Sequence, residues 1–336
     1  MIQQKDNSQL PAIGLIIGCI IFGLGSLIVA HVEVGGYAMA FWRLAISGIV
    51  FTILAAVFRQ KMPNVDGNEH NPNPNPNSNN ASSRLNNNKA LVFALLSGAF
   101  LGLDLALWHE SIYAVGPGIS TLLNSLQIFF LAALGFLIFK ERQTILQLIS
   151  LVIALMGVVF IASPEFANNN HAAYGFVTGI VSASMLAASM TFIRLTHQAS
   201  PTPIFLLMQR ISIGGSLAML IPMFLFDQGQ ILPKSLSDLG WIIVYGTVMQ
   251  CLAWGLIAYS IPKLSLALTG LLLLSEPVAA LFIDYFWLDK SINILQWTGA
   301  GLTMFAIYLG SLKPKALTET AKLRRYRFFS RFYRRK

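Results

Sequence analysis

Four ionisable residues stand inside long apolar stretches of this chain: Arg43, Asp104, Arg210 and Glu276. An ionised side chain at the centre of a membrane-crossing helix costs about 2.5–3.5 kcal/mol on insertion scales. Such groups therefore face a bundle interior or a water-filled cavity. Helical spacing puts Trp108 and Ser111 on the face of Asp104, at i+4 and i+7, and Thr269 on the face of Glu276. Pro277 follows Glu276, removes a backbone donor and frees the carbonyl of Leu273, which places polar backbone beside a carboxylate. Ser120, Asn124 and Gln127 form an uncharged polar stripe that either lines a cavity or joins helices by hydrogen bonds. Trp108 and Trp254 either face each other as aromatic walls or sit in an interfacial belt. Carboxylates beside indole rings suit an ammonium group, through Coulomb and cation–π attraction. The competing reading is structural: Asp104 and Glu276 pair with arginines and tie helices together, and Arg43 and Arg210, each early in its run, fix helix ends.

Other chemistries lack their residues. His109-Glu110 continues as Ser111-Ile112-Tyr113, so the second histidine of a zinc-protease helix is missing. The chain has five histidines, and no pair sits at metal-ligand spacing inside an apolar run; no metal and no other cofactor is expected. There is no glycine-rich phosphate loop followed by Lys-Ser/Thr, and no charged ring or carbonyl filter of a channel. An enzyme is not expected. A membrane-embedded enzyme or a scaffold subunit without transport stays as the alternative class, although no nucleophile and base are found for it.

The elements that must position these groups follow from composition. The 336 residues are 55% hydrophobic and 11% charged, against about 25% charged in soluble domains, and the mean hydropathy is +0.64. This is an all-α, polytopic membrane protein. A spanning helix needs roughly 20 apolar residues, and ten such runs are present: Leu10–Ala30, Tyr37–Phe58, Ala90–His109, Gly118–Phe139, Gln143–Ser163, Ala173–Arg194, Pro203–Phe226, Leu239–Ile261, Leu264–Trp287 and Ser291–Leu312. The first run is longer than the core of a signal peptide and is read as a retained span. With ten spans both termini share one side. That side carries 19 of the Lys and Arg residues and the other only Lys234 and Lys290, so both termini are expected in the cytoplasm. Cys19 and Cys251 fall in apolar runs and behave as small hydrophobes.

Two segments stand outside the spans. Residues Pro63–Asn88 hold 11 asparagines and few apolar groups, which predicts a disordered, tolerated insertion on the cytoplasmic side. The tail Lys313–Lys336 holds ten of the 23 basic residues, interleaved with Tyr326, Phe328, Phe329, Phe332 and Tyr333. Basic-aromatic mixing also occurs in RNA binding. Directly after a span it reads as a segment lying on anionic lipid headgroups, so no nucleic-acid partner is expected.

The chain also repeats itself. Trp108, Tyr113 and Ile145-Leu146-Gln147 recur as Trp254, Tyr259 and Ile294-Leu295-Gln296, at offsets of 146 to 149. Arg43 has its counterpart in Arg210, and Glu141 in Asp289. Residues 10–163 and 173–312 thus read as two five-span repeats. Five is odd, so the second copy is inverted, an arrangement that places a substrate site between the repeats near the midplane.

With an arginine near the start of spans two and seven, a Ser275-Glu276-Pro277 turn and a Lys140-Glu141-Arg142 corner, the chain resembles the EamA-type branch of the drug/metabolite transporter superfamily over residues 10–312. The resemblance implies an inner-membrane carrier working by alternating access, often exporting amino acids or related metabolites. One departure stands out: the first repeat has Gln127-Ile128-Phe129 where the second has Glu276-Pro277. The expected cargo is a small amine-bearing metabolite such as an amino acid, and Glu276 is expected either to couple transport to protons or to bind the cargo. The expected site comprises Glu276, Asp104, Trp108, Asn124, Gln127, Trp254, Thr269, Arg43 and Arg210.

Overall fold

A run of some 20 apolar residues has no polar face to offer water, and its backbone groups must be satisfied internally, which a helix alone does within one segment. The computed structural model describes residues 9–58, 76–141, 143–162, 172–286 and 293–311, and among these there is helix and no strand. In chain order the helices are α1 (Gln9–Gly23), α2 (Gly25–His31), α3 (Gly36–Val57), α4 (Pro76–Ser125), α5 (Gln127–Phe139), α6 (Ile145–Ala162), α7 (Ala172–Ala199) and α8 (Ile204–Phe226). Then come α9 (Leu236–Val244), a π-helical segment (Tyr245–Ala253), α10 (Trp254–Ser260), α11 (Leu266–Leu273), α12 (Ser275–Phe286) and α13 (Ile294–Ser311).

Six helical stretches among the described residues are long and apolar enough to cross a membrane: Gln9–Val29, Gly36–Val57, Leu85–Gly116, Ala173–Ala199, Ile204–Phe226 and Leu236–Lys263. Four shorter apolar helices, Leu123–Phe139, Ile145–Gly157, Leu266–Ala279 and Ile294–Gly310, fall within the remaining runs. Their outward faces carry large apolar side chains such as Ile49, Leu137, Val152, Ile221 and Phe224. A surface of that kind suits lipid rather than water.

Four of the departures from straight α-helix among the described residues bear on the interior site. Gly116 (φ 82°) breaks α4, and the pairs Trp108/Ser120 and Asp104/Asn124 are bonded across that break. Both pairs are centred on Ala114, two residues before the break, so the chain folds back near Gly116 into a hairpin; a straight helix would hold residues 20 apart about 30 Å away. A second break, at Leu126, separates α4 from α5, and a third, at Leu274, separates α11 from α12. Beside the third, Ser275 Oγ donates to the Leu272 carbonyl at 2.7 Å. The fourth is the π-helical segment itself.

The packing partners are α3 with α8, α6 with α13, α4 with α7, and α1 with α10. Glycine permits the closest crossing, α4 on α8. A Cβ on Gly98 would overlap the carbonyl oxygen of Ile211, and one on Gly214 would overlap the backbone of Leu95. The Gly98-x-x-x-Gly102 pattern is thus a packing feature.

One expectation needs correction. Disorder was expected over 63–88, yet α4 begins at Pro76. Once the apolar part of α4 is nucleated, extending it costs little even through asparagine. Proline is well placed at a first helical position, and Ser200 Oγ donates to Asn87 Oδ1 at 2.9 Å. Residues 63–75 lie outside the described residues, as do Asp289, Lys290 and the basic tail.

Candidate functional site

The hairpin in α4 and the neighbouring α7 hold Asp104. Its Oδ1 accepts from Ser182 Oγ at 2.7 Å and from Asn124 Nδ2 at 3.1 Å, and Asn124 Nδ2 also donates to Ser182 Oγ at 2.8 Å. Of the polar stripe on the second arm of the hairpin, Ser120 and Asn124 therefore bond back to the first arm. Gln127, buried at the start of α5, has an Oε1 without a hydrogen-bond partner among the described residues. Ser111, expected on the face of Asp104, donates to the Gly175 carbonyl of α7 at 2.8 Å.

Arg43, on α3, has no exposed surface. Its Nε donates to Gln250 Oε1 at 2.7 Å and its Nη1 to Tyr245 Oη at 2.6 Å. The guanidinium also lies over the rings of Tyr245 and Phe22, at 4.4 and 4.7 Å. Tyr245 and Gln250 both belong to the π-helical segment. In an α-helix residues five apart diverge by about 140°, whereas the wider i→i+5 turn brings them toward one face. The irregular winding is what lets both side chains meet one guanidinium.

A directional chain continues from there. His109 Nε2 lies 2.9 Å from Tyr245 Oη, and His109 Nδ1 lies 3.0 Å from the Gly36 carbonyl oxygen. A carbonyl only accepts, so Nδ1 carries the proton and Nε2 accepts from the tyrosine hydroxyl, which in turn accepts from Arg43. The tyrosine hydroxyl and both ring nitrogens are satisfied with a neutral imidazole.

Glu276 opens α12 beside the break at Leu274, keeps partial exposure, and packs against Gly23 of α1. Cys19 and Ser275 adjoin it. Glu276 and Asp104 lie within electrostatic reach of each other, and both lie within reach of Arg43. Helices from both halves of the chain thus bring two carboxylates around one buried guanidinium. Trp108 and Trp254 are 3% and 1% exposed, so neither is in an interfacial belt. Phe22 sits between them, with ring centroids 6.1 and 6.0 Å away. Thr269 is fully buried and turns its hydroxyl to the Ser265 carbonyl. Arg210 stands half-buried on α8, and the cation that both carboxylates feel is Arg43.

Tyr245, Gln250, His109, Ser182 and Phe22 were not anticipated from the sequence. One signal was present: the offset of 146 that carries Trp108 onto Trp254 also carries Asp104 onto Gln250.

Both ends of the bundle are tied by carboxylates. Asp227, following α8, accepts from the Ala38 amide at the start of α3 at 2.6 Å, and the neighbouring Gln230 and Ile231 carbonyls accept from Gly35 N and Trp42 Nε1. Burial holds the Asp227 carboxyl above its ordinary range, against the opposing pull of the Ala38 and Tyr37 amides. At the other end Lys140, in the left-handed conformation (φ 54°), closes α5 and directs Glu141. Glu141 pairs with Arg194 of α7 and accepts from the Leu266 amide that opens α11.

No group of three or more His, Cys, Asp or Glu arranged to hold a metal occurs among the described residues. An apolar helical bundle with charged groups gathered inside it is the build of a multi-pass membrane transport protein. The EamA-like transporter family model matches residues 9–163 and 173–312, and the chain belongs to that family. An uncharacterized transporter of Archaeoglobus fulgidus is 26% identical over 200 residues, which span 58% of this chain and 68% of that protein. A solved crystal structure superposes with a TM-score of 0.68 over 92% of this chain and 97% of its own, at 12% identity, a likeness of fold alone. The protein is a membrane transporter, and a small molecule is its substrate.

Proposed function

We propose that the chain is a secondary carrier that crosses the bacterial inner membrane ten times, as two inverted five-helix repeats with both termini in the cytoplasm. It exports a small amine-bearing metabolite, such as an amino acid, by alternating access. The observation that carries this reading is the cluster of Asp104 and Glu276 around Arg43, with Glu276 beside the break at Leu274 and the partners of Arg43 on the π-helical segment. Discontinuous helices with ionisable groups at membrane depth are the usual make of carrier substrate sites.

The packing supports the inverted repeat. Under the repeat the second span corresponds to the seventh and the fifth to the tenth, and these pair with each other as α3 with α8 and α6 with α13. The contact of α4 with α7 has its counterpart in that of α10 with α1. The breaks at Leu126 and Leu274 fall at matching places in the two halves. The 19-to-2 distribution of basic residues supports the orientation. Glu276 is the candidate for proton coupling, since it alone of the two carboxylates keeps partial exposure. The basic tail rests on anionic headgroups.

The test is a metabolite comparison of host cells lacking and overproducing the protein, followed by flux of the accumulated compound in vesicles holding the purified chain. An amine-bearing compound that is retained without the protein and released with it is the expected result. Unchanged metabolite pools together with inert vesicles overturn the carrier reading.

A further inference from the structure

Three buried donors in the site have no hydrogen-bond partner among the described residues: Arg43 Nη2, Gln250 Nε2 and Trp254 Nε1. Their residues are 0%, 0% and 1% exposed. Native interiors rarely leave buried donors unpaired, and here three gather in one place. Arg43 and Gln250 are bonded at 2.7 Å. Trp254 follows Gln250 by four residues on the same helix, and its ring neighbours Phe22, over which the guanidinium lies. The orientation of the Gln250 amide is not open to exchange. Guanidinium only donates, so the atom facing Arg43 must be the carbonyl oxygen and Nε2 must be the donor.

The acceptors of the site are Asp104 and Glu276, both within electrostatic reach of Arg43. The internal repeat explains the division. Offsets of 146 and 149 carry Asp104 onto Gln250 and Gln127 onto Glu276, so each half keeps one acid and replaces the other by an amide. The result is a set of unpaired donors and a pair of carboxylates within one interior site. A simple amine leaves the donors unpaired, and a simple carboxylate meets two carboxylates with nothing to offer them.

We infer that Arg43, Gln250 and Trp254 form a carboxylate-binding subsite, so that the cargo carries both a carboxylate and an ammonium group. The guanidinium supplies charge, the amide and indole supply directed N–H groups, and Asp104 with Glu276 receive the ammonium. This rests on the carrier reading above and deepens it.

The test uses the purified full chain and thermal unfolding followed by light scattering. The probes are the common protein amino acids, the carboxamide of each, and the corresponding acid lacking the amino group. At least one amino acid should raise the unfolding temperature, and its carboxamide should bind about tenfold or more weakly, the loss of one charge-assisted bond. Trp254→Phe keeps the ring against Phe22 and removes only the donor; Gln250→Leu removes the amide. Each should weaken the amino acid about tenfold, weaken the carboxamide less, since its bond to the same donor is not charge-assisted, and so narrow the gap. The subsite is overturned if amino acid and carboxamide bind alike, if the gap survives both substitutions undiminished, if the acid lacking the amino group binds as tightly, or if no amino acid binds. Flux in vesicles is measured separately. Flux without discrimination between amino acid and carboxamide refutes the subsite alone, and discrimination without flux refutes the carrier alone.

Discussion

Replacing Glu276 by glutamine separates coupling from packing. The amide is nearly isosteric and keeps the methylene that packs on Gly23, so the variant should fold, insert and unfold at the parent's temperature or higher. It should be no less stable, because Glu276 and Asp104 share one guanidinium, and the substitution removes the surplus negative charge. Transport should nonetheless fall severely. At least one charge-assisted hydrogen bond to a cationic cargo is lost, about 1.5 kcal/mol. At most the full Coulomb attraction at about 4 Å is lost, about 4 kcal/mol at an effective dielectric of about 20. Apparent affinity should therefore drop between about tenfold and about a thousandfold. The amide carries no proton, so the pH dependence of transport should flatten as well. The assay is flux in vesicles between mildly acidic and mildly alkaline pH, with protein quantified by a tag. Asp104→Asn serves as a comparison and should do less damage, because the amide oxygen still accepts from Ser182 and Asn124. If Glu276→Gln transports like the parent at every pH, Glu276 is a packing residue and the coupling argument fails. If the variant is lost from the membrane, the carboxylate holds the bundle together.

Glu141→Ala should destabilise the protein by about 1–3 kcal/mol, because Arg194 and the Leu266 amide both lose their acceptor. Glu141→Gln should cost about half as much, and equal unfolding temperatures for the parent and Glu141→Ala would sink the idea. Gly98→Val should cost more than about 2 kcal/mol through overlap with Ile211 and Gly215, whereas Gly301→Ala, with nothing within 4 Å, should be neutral or better; the reverse order in a melting experiment refutes the close crossing. Reporters placed within residues 63–75 and after Lys313 should read cytoplasmic, and one within 164–170 external; opposite sides for the first two end the ten-span proposal. Asp227 is held above the ordinary carboxylate range by burial, so its ionised form stabilises the fold less than its protonated form. Its contribution should be greatest below about pH 4 and should fall as pH rises through the raised value. Subtracting the melting profile of Asp227→Asn from that of the parent isolates this slope, and a difference that rises with pH refutes the reasoning.

The helices and the two carboxylates were legible in the sequence for a single reason: each is a large free-energy statement. A run of 20 apolar residues has no other stable form in lipid, and Asp104 or Glu276 within such a run is costly unless it serves a site. The turn at Gly116 was legible as the gap between two runs. Groups whose cost is small were not legible. Tyr245 and Gln250 are neutral, and their meeting at Arg43 depends on the π-helical winding of residues 245–253, which shifts faces relative to an ideal helix. His109 was weighed only as half of a metal motif, whereas its partners are a tyrosine and a carbonyl far along the chain. The extension of α4 back to Pro76 runs against its asparagine-rich composition. Propagation from a stable helix outweighs propensity there, and propensity was the only local signal.

The ties at the two ends of the bundle bear on how such a site is opened. Asp227, from the second half, caps a helix of the first, and Glu141, from the first half, holds a helix of the second. Each carboxylate has one or two partners and contributes on the order of 1–3 kcal/mol, and at the Asp227 end the Gln230 and Ile231 carbonyls add two hydrogen bonds. The packing of α3 on α8 and of α6 on α13 is among the most extensive in the bundle and far larger in sum. Under the proposed alternating access, the expected motion is one that breaks a tie at one end while keeping those contacts. A ligand binding between the halves needs only a differential affinity of the size of one tie to shift the balance. The polar groups that bind cargo and those that close the ends thus act on the same few kilocalories. In the proposed carrier, that match is what links occupation of the interior to which end is open.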